Sequence, residues 1–397
     1  MYALLGVILI DSFSYSMVLP ILPFVVLGDG GGVRSGGLLI SIHAIFAMLA
    51  APLLGRLSDR VGRKNVILIT LAIEVLSYSF FAFSRNLVEL FAARALAGIS
   101  AGNLGVVQAA IADETTHQHR GRAMGKLTAS WALGFVLGPA LSTVLPKHAP
   151  DPTWLPGIIA AVAGCVSLIS ISTLYSRGAH KRVPSDSSFS SQEQRDAASS
   201  IISRNEILAQ VGLMAFCQTG LVAMTGFFVT MTLTWDQRQL SLLMVWSAIT
   251  IISAQTLVVP LLLKRRGEAG TILISLPIVA ACAGLLSLHT PSSLLACAAI
   301  PFLFCFITVT QTSLTTLLSN TTGSHEQGAT LGLASGTAAA GRILGPAILG
   351  ILFDRLDPRA PYGIAFGIAT CLCAWVAMRN RVKLLYRVSN SNPAETD

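Results

Sequence analysis

Charged residues are scarce in this sequence. They make up 12% of its 397 residues, against about 25% in a typical soluble domain, which excludes an ordinary water-soluble globule. Aromatic residues are also sparse, at 7%, although 53% of the chain is hydrophobic. The apolar mass is therefore aliphatic and rich in Gly and Ala, as in helices that pack closely within lipid. No C-x-x-C pair and no Cys/His cluster at metal-binding spacing occurs. The seven cysteines, Cys165, Cys217, Cys282, Cys297, Cys305, Cys371 and Cys373, all lie in apolar runs and read as small packing residues. There is no G-x-x-x-x-G-K-[ST] loop, so an ATP drive of that kind is excluded. No nucleophile or metal constellation points to an enzyme, and no cofactor is expected. The net charge of +8 does not argue for nucleic acid, because the cations sit at the ends of apolar runs. The first segment lacks a basic leader and stays apolar beyond the length of a signal-peptide core, so no cleavable signal is expected.

What is present is a succession of twelve apolar segments. They lie at roughly 1–27, 36–54, 65–83, 87–112, 121–145 and 154–175, then at 205–232, 240–263, 271–288, 292–318, 328–353 and 362–378. Crossing a bilayer takes about 20 apolar residues as a helix, and in lipid only helices or closed barrels satisfy every backbone group. The expected fold is an all-α membrane protein of twelve transmembrane helices in two six-helix, pseudo-symmetric halves. The halves are expected at 1–175 and 205–378, joined by a flexible, serine-rich linker at 176–204 and followed by a polar tail at 379–397.

Lysine and arginine in the loops set orientation. Nineteen of the 27 fall on one side, in the turn 55–64, at 120–126, in the linker, at 264–266 and in the tail; six fall on the other and two, Arg94 and Arg342, within spans. The bias predicts that the 55–64 side, the linker and both termini are cytoplasmic, in a plasma or vacuolar membrane.

An internal repeat supports the two halves. Gly134, Gly138 and Pro139 form G-x-x-x-G-P in the fifth span, and Gly341, Gly345 and Pro346 form it again in the eleventh, 207 residues later. A second basic turn ends at Gly267, 205 residues after Gly62. It carries no counterpart of Asp59.

The turn itself reads Gly55-Arg56-Leu57-Ser58-Asp59-Arg60-Val61-Gly62-Arg63-Lys64. It resembles the signature loop of the major facilitator superfamily, G-x-L-x-D-R-x-G-R-K, at every defined position. The segment from Arg94 to Gly102 resembles the fourth-helix motif R-x-x-x-G-x-x-x-G of that superfamily. The two G-x-x-x-G-P motifs resemble its antiporter motif, which exporters tend to carry. The run from Asp11 to Pro23 resembles the first helix of tetracycline-efflux proteins and other twelve-span drug:proton antiporters.

The resemblance implies roles for named residues. Gly55, Asp59, Arg60, Gly62, Arg63 and Lys64 would form a conformational gate, the glycines allowing a tight turn and close helix approach. Asp59 would face the start of the eleventh span, near 328–331, and Arg63 would pair with Asp113. The plainer reading is that these charges only set topology. Asp11, lying near the middle of the first span, Arg94 and Glu74 are the proton-coupling candidates, with Asp11 and Arg94 expected as a pair. A carboxyl at that depth can take up and release a proton, or serve as a hydrogen-bonded structural acid. Arg94, roughly 10 Å from the outer end of its span, faces a partner or snorkels outward. Gly134, Gly138 and Pro139 would make a tight contact and a bend at the seam between halves. Asn103, Gln218, Gln255 and Gln311 either line a substrate cavity or bond helix to helix. Arg342 attracts an anionic substrate group or snorkels. Trp131 and Trp246 stack on substrate or pack.

These readings converge on a secondary active transporter exporting small amphipathic or hydrophobic molecules by proton antiport with alternating access. The proton gradient would be its energy source, and it is expected to be a monomer in the bilayer. The alternatives are a facilitative or organic-anion carrier of the same fold, or a non-transporting receptor built on it.

Overall fold

The computed structural model describes residues 1–145, 153–175, 204–288, 292–322 and 327–390. The expected linker, apart from Arg204, lies outside the described residues. Fourteen helices follow one another in chain order among them. In the first half these are α1 (Tyr2–Val18), α2 (Leu22–Gly28), α3 (Val33–Val61), α4 (Arg63–Ala82), α5 (Leu87–Ala101), α6 (Leu104–Glu114), α7 (His117–Ser142) and α8 (Trp154–Leu174). In the second half they are α9 (Arg204–Leu233), α10 (Gln237–Ser253), α11 (Val259–Leu288), α12 (Ser293–Thr321), α13 (Gln327–Arg355) and α14 (Ala360–Asn390).

Nine stretches of the described chain are long and apolar enough to cross a membrane. The pair α1 and α2, bent by 42°, is a tenth. The cationic start of α7, with Arg120, Arg122 and Lys126, masks an eleventh. The stretch Gln237–Leu288 holds two spans, because Gly267 interrupts it at φ 68°. The twelve expected spans are thus present, with three differences of detail. The first is broken where Pro20 and Pro23 remove backbone donors and disfavour helix before them. The fourth is broken between α5 and α6, at Gly102 and Asn103. The last continues to Asn390, twelve residues past its expected end at 378.

The two halves repeat in packing. The most extensive helix pairings are α1 with α7 in the first half and α9 with α13 in the second. Both basic turns hinge on a glycine in the left-handed region, Gly62 at φ 92° and Gly267 at φ 68°, which an L side chain rarely adopts. The next residue then reaches the end of the following span in each half. Arg63 Nε donates to Asp113 at 3.3 Å, and Glu268 accepts from Asn320 Nδ2 at 2.8 Å. The repeat therefore persists in structure after its charges have diverged. Gly55 differs from expectation: it lies inside α3, and a Cβ there would meet nothing within 4 Å, so only Gly62 serves the turn.

We call the end bearing the 55–64 turn the basic face. The main apolar core joins both halves near the opposite face, through Val25, Val33, Leu39, Phe227, Leu349 and Phe353. At the basic face the cores separate. Leu4, Ile8, Leu54, Val66, Ile111 and Tyr175 cluster within the first half alone, and Ala254, Val259, Cys305 and Val309 within the second. The two halves are therefore sealed together on the face away from the basic turn.

Candidate functional site

The first half buries a polar cluster drawn from four spans. Its centre is Tyr15 on α1. The Arg94 guanidinium of α5 lies 5.3 Å from the Tyr15 ring centroid, and the His43 ring of α3 lies 5.0 Å from it. Phe135 of α7 packs on the same ring at 6.2 Å and stacks on Trp131 at 4.8 Å. On α4, Glu74 and Tyr78 are buried, at 3% and 4% exposure, one helical turn apart. Asp11 is within electrostatic reach of Glu74, and Tyr78 within reach of Asp11, Glu74, Arg94 and Tyr15.

Arg94 is 1% exposed, so it does not snorkel to an interface. Its three guanidinium nitrogens have no hydrogen-bond partner among the described residues, nor have His43 Nδ1 and one carboxylate oxygen of Glu74. The expected Asp11–Arg94 ion pair is accordingly not formed; the cation rests on the Tyr15 face instead. A centrally placed arginine costs about 3 kcal/mol on insertion scales, and a desolvated cation–π contact returns about 2 kcal/mol. The contact thus offsets much of the burial but leaves the charge available to another partner. His43, Tyr15 and Tyr78 escaped the sequence reading. His43 had a usable signal, being the only histidine inside the expected spans.

Small residues bring these spans close enough to share the cluster. A Cβ on Gly98 would collide with the His43 carbonyl, and one on Gly102 would press on Ala50 and Ala51, so α5 lies tight against α3. Cβ atoms on Gly134 and Gly138 would strike α1 at Ser12 and Ser16; on Gly341 and Gly345 they would strike the α9 carbonyls of Gly212 and Phe216. The repeated motif therefore clamps helices within each half and not at the seam between halves. α7 and α13 run on through Pro139 and Pro346. Pro346 touches the seam, where its carbonyl lies against Gly37 of α3.

Among the described residues the second half holds polar side chains in its spans but no buried acid of this kind. Gln218 donates to Thr308 at 2.9 Å and Gln255 to Thr312 at 3.0 Å, so both amides bond helix to helix. Gln255 sits in a π-helical turn, Ala254–Val258, a local widening that recurs at functional sites. Gln311 is half-buried. Asn103 occupies the break in the fourth span at 7% exposure, with its side-chain Oδ1 unpartnered among the described residues. Arg342 is exposed and within electrostatic reach of Tyr15 in the other half. Trp246 is half exposed.

At the basic face Arg63 gathers three neighbours: Asp59 at 2.7 Å, Asp113 at 3.3 Å and the Ser58 hydroxyl. Lys64 donates to the Ser172 carbonyl at 2.9 Å. Arg63 with Asp113 is as expected. The Asp59 side chain, 65% exposed, is turned to Arg63 and not docked on α13. On the opposite face α3 and α13 are zipped together. Ser41 Oγ donates to the Ile343 carbonyl at 2.7 Å, and the Asp354 carboxylate accepts the backbone N–H groups of Val33 at 3.2 Å and Arg34 at 2.8 Å. Asp59 is paired with Arg63 within its own half in this arrangement, in which the halves meet at the other end.

Comparison with known proteins adds the following. Residues 4–346 match the family model described as Major Facilitator Superfamily. The chain is 27% identical over 363 residues to Multidrug resistance protein 2 of Bacillus subtilis (strain 168), covering 88% of each. It is 31% identical over 182 residues to Tetracycline resistance protein, class H, of Pasteurella multocida, a match spanning 45% of this chain and 44% of that one. Among solved structures, the nucleoside transporter NupG superposes with a TM-score of 0.72 at 15% identity, covering 95% of this chain and 98% of that chain. The human organic anion transporter MFSD10 superposes with a TM-score of 0.66 at 19% identity, covering 94% and 98%. At these identities the likeness is one of fold.

Proposed function

The chain belongs to the Major Facilitator Superfamily, and from that premise we propose that it exports small amphipathic or hydrophobic molecules by proton antiport with alternating access. Membership makes it an integral, multi-pass carrier of small molecules and not an enzyme. The observation that carries the finer reading is the cluster at span depth in the first half. Two carboxyls, Asp11 and Glu74, share it with an Arg94 that has no hydrogen-bond partner among the described residues. Ionisable groups at that depth are expensive and are kept where protons or ligands use them. The named relatives that resist drugs support export. In this reading the energy source is the proton gradient, no cofactor takes part, and the working unit is a monomer of halves 1–175 and 205–378. The basic face is cytoplasmic, in a plasma or vacuolar membrane, and the 55–64 turn is a gate.

A second reading, an organic-anion or facilitative carrier, draws on Arg342, which is exposed near Tyr15 of the other half. One experiment separates the two. Purified protein in liposomes is given a panel of lipophilic cations, neutral drugs and organic anions, with and without an imposed pH gradient. Drug movement driven by the gradient is the expected result. Anion movement indifferent to the gradient would replace the first reading with the second.

A further inference from the structure

We infer that Asp354 is a second gating residue of the transport cycle, an acceptor on α13 that locks the face opposite the basic turn by capping α3 from the other half. The first turn of a helix exposes backbone N–H groups that need acceptors. Three helices beginning on this face find a side-chain acceptor at their own N-cap, whereas Thr153 before α8 makes no such cap. Asn86 accepts from Glu89 N in α5, Asp236 from Gln239 N in α10, and Ser292 from Leu295 N in α12, at 3.0, 2.9 and 3.3 Å. α3 begins after Gly32, which has no side chain to offer. Its acceptor is the Asp354 carboxylate, more than 300 residues away in sequence, which takes Val33 N–H and Arg34 N–H on its two oxygens. Gly32 also makes room, since a Cβ there would lie 3.0 Å from Asp354 Oδ2.

The cap is therefore conditional. It exists when the halves meet on this face and is lost to water when they part. α3 and α13 run antiparallel, so Asp59 in the last turns of α3 and Asp354 in the last turns of α13 hold equivalent positions, of which Asp354 alone meets the start of the other helix here. The structure holds the Asp354 latch closed and the Asp59 side chain turned away. One pair of helices thus carries two opposed locks, and closing either requires releasing the other.

The inference rests on the alternating-access reading but not on any substrate. Its test measures distances between spin labels at Ser84→Cys and Asp357→Cys, on opposite-face loops of the two halves. The full chain is used, with native cysteines replaced, in lipid nanodiscs without substrate. Removal of a helix cap of about 1 kcal/mol shifts a two-state equilibrium about five-fold. Asp354→Ala is expected to enrich the long-distance population by about that factor. Asp354→Asn, which keeps an acceptor oxygen, should fall between it and the parent. Gly32→Ala, crowding the carboxylate from the other side, should shift the same way. Asp59→Ala should shift populations in the reverse direction, and the double variant should return towards the parent. Parent-like distances in both Asp354→Ala and Gly32→Ala, in protein that elutes as the parent does, would overturn the proposal. Failure of the export reading would leave these distances unaffected.

Discussion

The Arg94 guanidinium rests 5.3 Å from the centre of the Tyr15 ring, with none of its nitrogens hydrogen-bonded among the described residues. A buried cation held by a ring face and not by a carboxylate is stabilised without being neutralised. Tyr15 is also the ring that His43 and Phe135 pack on, and it lies within electrostatic reach of Arg342. It therefore ties the interior of the first half to the seam. Replacing it tests both functions. Tyr15→Phe keeps the cation–π contact and should melt within a degree or two of the parent in detergent. Tyr15→Ala forfeits about 2 kcal/mol and should lower the melting temperature measurably. Equal melting of the two variants would show that the ring face contributes nothing.

Asp11 and Glu74 are within reach of one another in the same interior. Asp11→Asn should abolish transport driven by a pH gradient while leaving expression and elution intact. Glu74→Gln should reduce it less. Proton-driven uptake at the parental rate in Asp11→Asn vesicles would remove Asp11 from the coupling scheme.

Among the described residues Asp59 is held by Arg63, in an exposed ion pair of the kind worth about 0–1 kcal/mol. So weak a tether releases the carboxylate readily to the start of α13. Asp59→Asn should slow turnover in liposomes and spare substrate binding measured at equilibrium. Loss of binding in that variant would refute its role as a gate.

Gly138 and Gly345 press on backbone atoms of the neighbouring helix, whereas Gly105 and Gly125 face open space. Alanine at either clamped position must push two helices apart, at about 1–3 kcal/mol. Alanine at either open position should be neutral or stabilising by up to about 1 kcal/mol. Thermal melting of the four single variants reads this directly. The prediction fails if the clamped pair melts like the open pair.

Much of this arrangement was legible in residue order. Twelve spans follow from segment length and charge scarcity, since lipid admits backbone only as satisfied helix. The paired turns at Gly62 and Gly267 and the paired G-x-x-x-G-P motifs were visible because each depends on local composition or a fixed offset, whereas the Arg63–Asp113 contact came from the resemblance of the 55–64 turn to the superfamily's signature loop. The break at Pro20 and Pro23 was written in the prolines but hidden by unbroken hydropathy.

What only the tertiary structure decided are relationships between spans whose sequence separation carries no signal. Arg94 lies on Tyr15 and not on Asp11. The glycine motifs grip helices inside each half. Gln218 and Gln255 bond across helices. Asp354 caps α3 across 320 residues of chain. Composition determines that a helix must cross lipid, because the backbone alone imposes that. Which face it turns to which neighbour is settled by close packing and by the few polar groups that must find one another in a low-dielectric interior.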